Sequence, residues 1–191
     1  MTTPTTADAA AAAATQPSHH TQPTRYTQPT HYTTVGSPIG ELLLLGNDAA
    51  LTGLHFPPYR WTSALIADLR CDDGPFRAAI EQLGEYFAGD RREFDLPLAL
   101  DGTEFQLRVW RALQQIPYGR TATYGEIATG LGHPSAARAV GMANNRNPIA
   151  VIIPCHRVVG SNGALVGYGG GLDRKRALLD LEAGVLVMTA G

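Results

Sequence analysis

The chain has 191 residues, 44% of them hydrophobic and 17% charged, with a net charge of -2. That length buries a core without needing disulfides or a structural metal, and the composition is too apolar for a disordered chain. The net charge excludes a uniformly basic nucleic-acid binder, yet from Phe105 to Arg176 there are 9 basic residues against 2 acidic ones, whereas residues 1–100 carry 6 against 11.

Residues 1–33 are rich in Thr, Ala, Gln, Pro and His and contain a tandem repeat, Thr21–Tyr26 followed by Thr27–Tyr32. They lack the apolar residues of a core, so a disordered tail is expected. No basic segment followed by an apolar one reads as a secretory signal, and no apolar run approaches a membrane span. Cys71 and Cys155 are the only cysteines and form no CxxC pair, which excludes a Cys-rich zinc site. A cytoplasmic monomer with free thiols, no metal, no cofactor and no membrane partner is the expectation.

Residues 34–100 read as a small scaffold. Ser37-Pro38-Ile39-Gly40 is turn chemistry. Glu41 to Leu45 and Leu51 to Phe56 form a predicted hairpin around Gly46-Asn47-Asp48. Phe76, Ile80, Leu83 and Phe87 recur at helical spacing, predicting a helix over 76–88 that stops at Gly89. Phe94 to Leu100 is a short strand or an extended linker. None of these residues carries evident chemistry, and Cys71 reads as an ordinary loop cysteine.

Residues 101–191 are the basic half. Thr103 and Gln106 make a capping box for a helix with Phe105, Val109, Trp110, Leu113 and Ile116 on one face. Pro117-Tyr118-Gly119 ends it. A second helix is predicted from Thr123 to Leu131, and a third from Ser135, as N-cap, to Asn144 or Asn145. Two short helices joined by a tight Gly turn outline a helix-turn-helix. Small residues surround Arg138 on the third helix, allowing close approach to a neighbouring helix or to a DNA groove. Val151-Ile152-Ile153 reads as an apolar strand leading into Pro154-Cys155-His156. A last helix is predicted from Arg174 to Glu182, with Asp173 as N-cap and Gly184 as stop.

A free thiol is only a few per cent thiolate at neutral pH. A neighbouring imidazole can take its proton if a third group fixes the ring. His156 and Glu182 are the candidates. Neighbours on a strand point to opposite faces, so Cys155 and His156 share a site only if Pro154 distorts the backbone or a water bridges them. A Cys-His hydrolase is one reading of such a pair, although it leaves Arg138 and the helix-turn-helix without a role.

Pro154-Cys155-His156-Arg157-Val158, with Asn147-Pro148 before it and Gly167-Tyr168-Gly169-Gly170-Gly171 after it, resembles the signature of the O6-alkylguanine-DNA alkyltransferases. The likeness runs from Phe105-Gln106 through Thr123-Tyr124 and Ala136 to Gly141, and on to Glu182. It implies an α/β protein: a ribonuclease H-like N-terminal scaffold followed by a mostly helical domain with a helix-turn-helix. It also implies irreversible, once-only transfer of an alkyl group from O6-alkylguanine in double-stranded DNA to Cys155, with O4-alkylthymine as a further candidate substrate. By the same resemblance, His156 is the base acting through a water, Glu182 orients it, and Tyr124 donates to N3 of the flipped base. The Gly169 amide donates to O6, and the carbonyls of Cys155 and Val158 accept from the exocyclic amine. Asn147 braces the cysteine loop, and Lys175 lies near the leaving oxygen. Arg138 enters the duplex as a finger, and Ser135, Ala136, Ala143 and Tyr168 complete the DNA- and base-contacting set. A non-catalytic binder of alkylated DNA that recruits other factors is the alternative, and the presence of Cys155 favours the enzyme.

Overall fold

The structure, a computed structural model, describes residues 28–58 and 66–184. The first copy of the tandem repeat, Thr21–Tyr26, lies outside them. Strand β1, His31–Val35, already belongs to the fold, so the tail expected to reach residue 33 ends inside a strand. His31 and Thr33 are buried and Tyr32 and Thr34 less so. This is the two-residue alternation of a strand, written in polar residue types that conceal it.

β2 (Leu42–Gly46) and β3 (Leu51–His55) form the predicted hairpin. β2 is buried along its whole length, as expected where both faces of a strand are covered. β1 pairs antiparallel with β2 and parallel with the two-residue β4 (Arg70–Cys71), giving the order β3-β2-β1-β4. Helix α1 (Arg77–Ala88) follows a turn of 3-10 helix at Gly74–Phe76. It ends at Gly89 with φ +86°, a left-handed conformation that glycine adopts without steric cost.

The free edge of β3 would be a row of unpaired amides and carbonyls. Two irregular segments cover it. The Leu51 amide donates to Pro97 (2.9 Å) and the Leu54 amide to Pro148 (2.9 Å), while Ala99 and Ala150 donate back to Leu51 and Leu54. The Phe94–Leu100 stretch is therefore extended linker with a single bridge at Leu98. The same strand holds the segment that leads to Cys155.

Helix α2 (Glu104–Gln114) begins with the predicted capping box, in which Thr103 Oγ1 accepts from the Gln106 amide and Gln106 Oε1 from the Thr103 amide. The short β5 (Ala122–Thr123) runs into α3 (Tyr124–Gly130), which has a second capping box between Thr123 and Glu126. Helix α4 (Ala137–Asn145) is the second member of the helix-turn-helix. Ser135 does not cap it. Pro134–Ala136 is a 3-10 turn and the N-cap is Ala136, without a side-chain bond, because Pro134 starts the helical turn before Ser135 is reached. β6 (Val158–Val159) pairs in parallel with β5. Helix α5 (Leu172–Glu182) starts two residues earlier than predicted, with Gly171 as N-cap and Asp173 inside its first turn. One apolar core runs from Leu42 and Leu44 through Trp110 and Val140 to Leu178 and Leu181.

Candidate active site

Val151-Ile152-Ile153 is not a strand. The Ile152 amide donates to Ala150 (2.8 Å) and the Cys155 amide to Ile153 (2.7 Å), which closes two three-residue turns in succession. The first is centred on Val151, at φ 69°, a left-handed conformation costly for a β-branched residue. Strain of this kind persists only where the surroundings over-determine it. Here Ile149, Val151 and Ile153 are fully buried, and Asn147 straddles the turn. Asn147 Nδ2 donates to the Ile153 carbonyl (2.8 Å), and its Oδ1 accepts from the Ile149 amide (3.1 Å). Asn147 thus ties the Ile149 amide to the Ile153 carbonyl across the turn.

The second turn centres on Pro154 and delivers the chain into a 3-10 turn, Cys155–Arg157. Successive side chains in such a turn are about 120° apart rather than on opposite faces, so Pro154 supplies the distortion that Cys155 and His156 need. Cys155 is 4% exposed and His156 is fully buried. Burial pushes the Cys155 thiol up to about 11, against the opposing pull of a hydrogen bond from Asn147 and the charge of Lys175. The thiol is therefore protonated at neutral pH and needs a base.

His156 Nε2 donates to Glu182 Oε1 at 2.9 Å. Burial pushes the imidazole down, and this outweighs the attraction of Glu182, so the ring is neutral. With the proton on Nε2, the lone pair sits on Nδ1, which is buried and has no protein partner. A neutral imidazole with an unengaged ring nitrogen, on the residue that follows the thiol, has the protonation state that proton abstraction requires.

Glu182 has more partners than sequence reasoning finds. Arg157 Nε and Nη2 grip it at 2.9 Å, Tyr86 Oη donates at 2.7 Å and the Gly119 amide at 3.1 Å. Burial opposes ionisation here, but the hydrogen bonds of His156 and Arg157, the guanidinium charge, and the imidazole's own charge once acid protonates it, prevail and hold the carboxyl at about 2. Arg157 stood in the motif without a role, and Tyr86 arrives from α1. The available signal was stoichiometric: a buried carboxylate has about four acceptor positions, and His156 fills one.

A cavity of about 210 Å³ opens beside Cys155, lined by Phe56, Asn144, Asn147, Tyr168 and Gly169 among others. Gly169 lines it, and a Cβ there would lie 3.5 Å from Asn145 Oδ1, an ordinary van der Waals contact. The Tyr168 ring lies 6.0 Å from Phe56. Tyr124 is half-buried, and its hydroxyl makes long bonds to the carbonyls of Val166 (3.3 Å) and Gly167 (3.4 Å). Burial, and then the proximity of Cys155, raise its pKa, so it remains a donor. Lys175 is fully buried, with Nζ donating to Val158 (2.5 Å) and Val166 (2.7 Å). The Val158 carbonyl thus already holds one donor, and Asn144 Nδ2 faces the Cys155 carbonyl at 3.4 Å.

On α4, Arg138 is exposed and Ser135 stands exposed in the turn before it, with Ala136 half-buried. Ala143 is 3% exposed, and its carbonyl accepts from Trp110 Nε1, which places it in the core between two helices rather than on the exposed side with Arg138. It falls on the face of α4 that packs against α2. Gly141 serves helix packing in part, since a Cβ there would sit 3.6 Å from the Tyr124 ring. Among the described residues no group of His, Cys, Asp and Glu could hold a metal, and no helix is long and apolar enough to cross a membrane.

Residues 104–184 match the DNA-binding domain of 6-O-methylguanine DNA methyltransferase, and residues 30–100 match its ribonuclease-like domain. The methylated-DNA–protein-cysteine methyltransferase of Mycolicibacterium paratuberculosis is 57% identical over 156 residues, covering 78% of this chain and 90% of that one. Its counterpart in Methanosarcina acetivorans is 53% identical over 146 residues, covering 76% and 94%. Among solved structures, OGT of Mycobacterium tuberculosis in complex with DNA superposes with a TM-score of 0.76 at 54% identity, covering 81% of this chain and 94% of that one. The matched regions span both halves, and the chain belongs to the 6-O-methylguanine DNA methyltransferase family.

Proposed function

We propose that Cys155 is the acceptor in a DNA repair reaction that moves an alkyl group from O6 of guanine in duplex DNA to sulfur, once per molecule. His156 Nδ1 takes the thiol proton, directly or through one water. The thiolate attacks the alkyl carbon, the S–C bond forms as the C–O6 bond breaks, and the electron pair leaves with the guanine oxygen. That leaving group is poor unless charge is stabilised as it develops. The Gly169 amide donates to O6, and the Tyr124 hydroxyl, released from its two long bonds, donates to N3. The target atom is inaccessible within a stacked duplex, so the nucleotide is flipped out, at a cost of roughly a few kcal/mol. Arg138, exposed on α4, fills the place it vacates. A nucleophilic thiol must stay reduced, and a reducing cytoplasm is the compartment that this requirement supports.

The observation that carries this reading is the single 3-10 turn that seats a buried Cys155 next to a neutral His156 with Nδ1 free and Nε2 tied to Glu182. The test is incubation with a duplex containing O6-methylguanine, followed by mass analysis of the cysteine peptides. One methyl per molecule on Cys155 is expected. Turnover beyond one equivalent, methyl on Cys71, or tight binding with no transfer would each overturn it, the last in favour of a silent damage binder.

A further inference from the structure

Two consecutive cations in the first turn of α5 reach in opposite directions and hold the two ends of one loop. Lys175 takes the carbonyl of Val166. Arg174 Nη1 takes the carbonyl of Gly170 at 2.9 Å. Between these anchors lie Gly167, Tyr168 and Gly169, the last two of which line the cavity beside Cys155. A loop with two glycines in three residues loses much conformational entropy on ordering, and a hydrogen-bond donor stabilises a developing oxyanion only if it is already in place.

What distinguishes Arg174 is where its other bonds go. Nε donates to the Ile39 carbonyl at 2.8 Å, Nη1 reaches Pro57 at 3.4 Å, and the guanidinium lies 5.1 Å over the Phe56 ring. All three partners belong to the N-terminal half. The Ile39 carbonyl is presented by the Ser37–Gly40 turn, in which the Gly40 amide donates to Ser37 (3.0 Å) and Ser37 Oγ donates back to Gly40 (2.5 Å). Gly40 has φ +104°, and a Cβ there would stand 3.4 Å from Arg174 Nη2. On the other side, a Cβ on Gly170 would stand 2.6 Å from Phe56. The loop and the N-terminal half are thus fitted to each other around one side chain.

We propose that Arg174 is a positioning residue for alkyl transfer, and that the Ser37–Gly40 turn and Phe56 act through it to hold the Val166–Gly170 loop in its base-receiving form. This rests on the assignment of the Gly169 amide made above, and it gives the acidic half a part in the reaction. The planar guanidinium is needed because its donors diverge from one rigid group. An ammonium cannot hold the Ile39 and Gly170 carbonyls in the same geometry.

The test is single-turnover transfer from an O6-methylguanine duplex at increasing DNA concentration, which separates apparent affinity from the maximal transfer rate. Arg174→Ala is expected to lower the maximal rate on the order of ten- to a hundredfold, as misplacement of a reacting group does, with the apparent dissociation constant unchanged. Should that variant fail to fold, Arg174→Lys carries the same expectation. Phe76→Leu, a core substitution in the N-terminal half, controls for lost stability and is expected to keep the wild-type rate well below its unfolding temperature. Adding Gly40→Ala to the Arg174 variant is expected to cost no further rate. A maximal rate unchanged in the Arg174 variants, or an equal loss in Phe76→Leu, overturns the proposal. A wild-type protein that leaves no methyl on Cys155 overturns instead the reading on which it rests.

Discussion

Glu182 accepts from four residues, and its importance lies in that number. An ionised carboxylate buried with one partner would be destabilising. With Arg157, Tyr86, His156 and the Gly119 amide around it, its charge is retained, and the ring of His156 is fixed in one tautomer. The pH dependence follows from the direction of each shift. Glu182 lies at about 2 instead of 4.5, so its contribution is fully present above about pH 4.5 and is lost as pH falls towards 2. That contribution is roughly 3 kcal/mol at 1.36 kcal/mol per unit. His156 is also pushed down. Its contribution is therefore complete above its ordinary value and declines as pH falls below that value. Urea unfolding should show stability falling from near pH 6.5 downwards, with a second loss below about 4.5. Glu182→Gln should remove that second loss and lower neutral-pH stability by about 3–5 kcal/mol, because Arg157 is left buried without its counter-charge.

Helix starts show what a sequence discloses about elements. Thr103 with Gln106, and Thr123 with Glu126, are local patterns whose two bonds form within one turn, so nothing distant can override them. The second box, like the first, is readable from spacing. Ser135 looked like a third cap but stands inside a turn begun by Pro134, a choice between two adjacent residues that composition does not settle. The contrast is measurable. Thr123→Ala should cost about 1 kcal/mol in thermal unfolding, whereas Ser135→Ala should change stability by less than about 0.5 kcal/mol. The apolar run before Cys155 has the composition of a strand and is not one, for a different reason. Its two turns are imposed by Asn147 and by burial against β3, which are long-range causes. Helix α4 itself was legible, and its function is testable by the substrate's state. Arg138→Ala should slow transfer from duplex DNA on the order of tenfold or more, and leave transfer from the free alkylated base unaltered, since only the duplex requires the base to be flipped out. Equal losses in both would deny the finger role.

At the scale of the whole molecule, the division into an acidic and a basic half was readable by counting charges along the chain, and the identity of the nucleophile by motif. What counting could not show is which charges reach the surface. Of the nine cations between Phe105 and Arg176, Arg157 and Lys175 are buried on Glu182 and on backbone carbonyls. Arg108 and Arg174 are partly buried and donate to carbonyls of Leu131, Ile39 and Gly170. Arg111, Arg120, Arg138, Arg146 and Arg176 remain exposed. A buried cation releases no counterion from DNA, so the slope of log K against log salt is set by the exposed ones, at about 0.9 per phosphate neutralised. Five such contacts cap the slope near about -4.5 for B-DNA, whereas all nine would give about -8. Fluorescence anisotropy with an undamaged duplex over a range of salt concentrations measures it. A slope steeper than about -5 would mean that cations outside this stretch also bind phosphate. Substituting Arg120 or Arg176 should reduce the slope by up to about one unit if each meets a phosphate, while Lys175→Met should leave it unchanged, because that ammonium faces Val158 and Val166 rather than solvent.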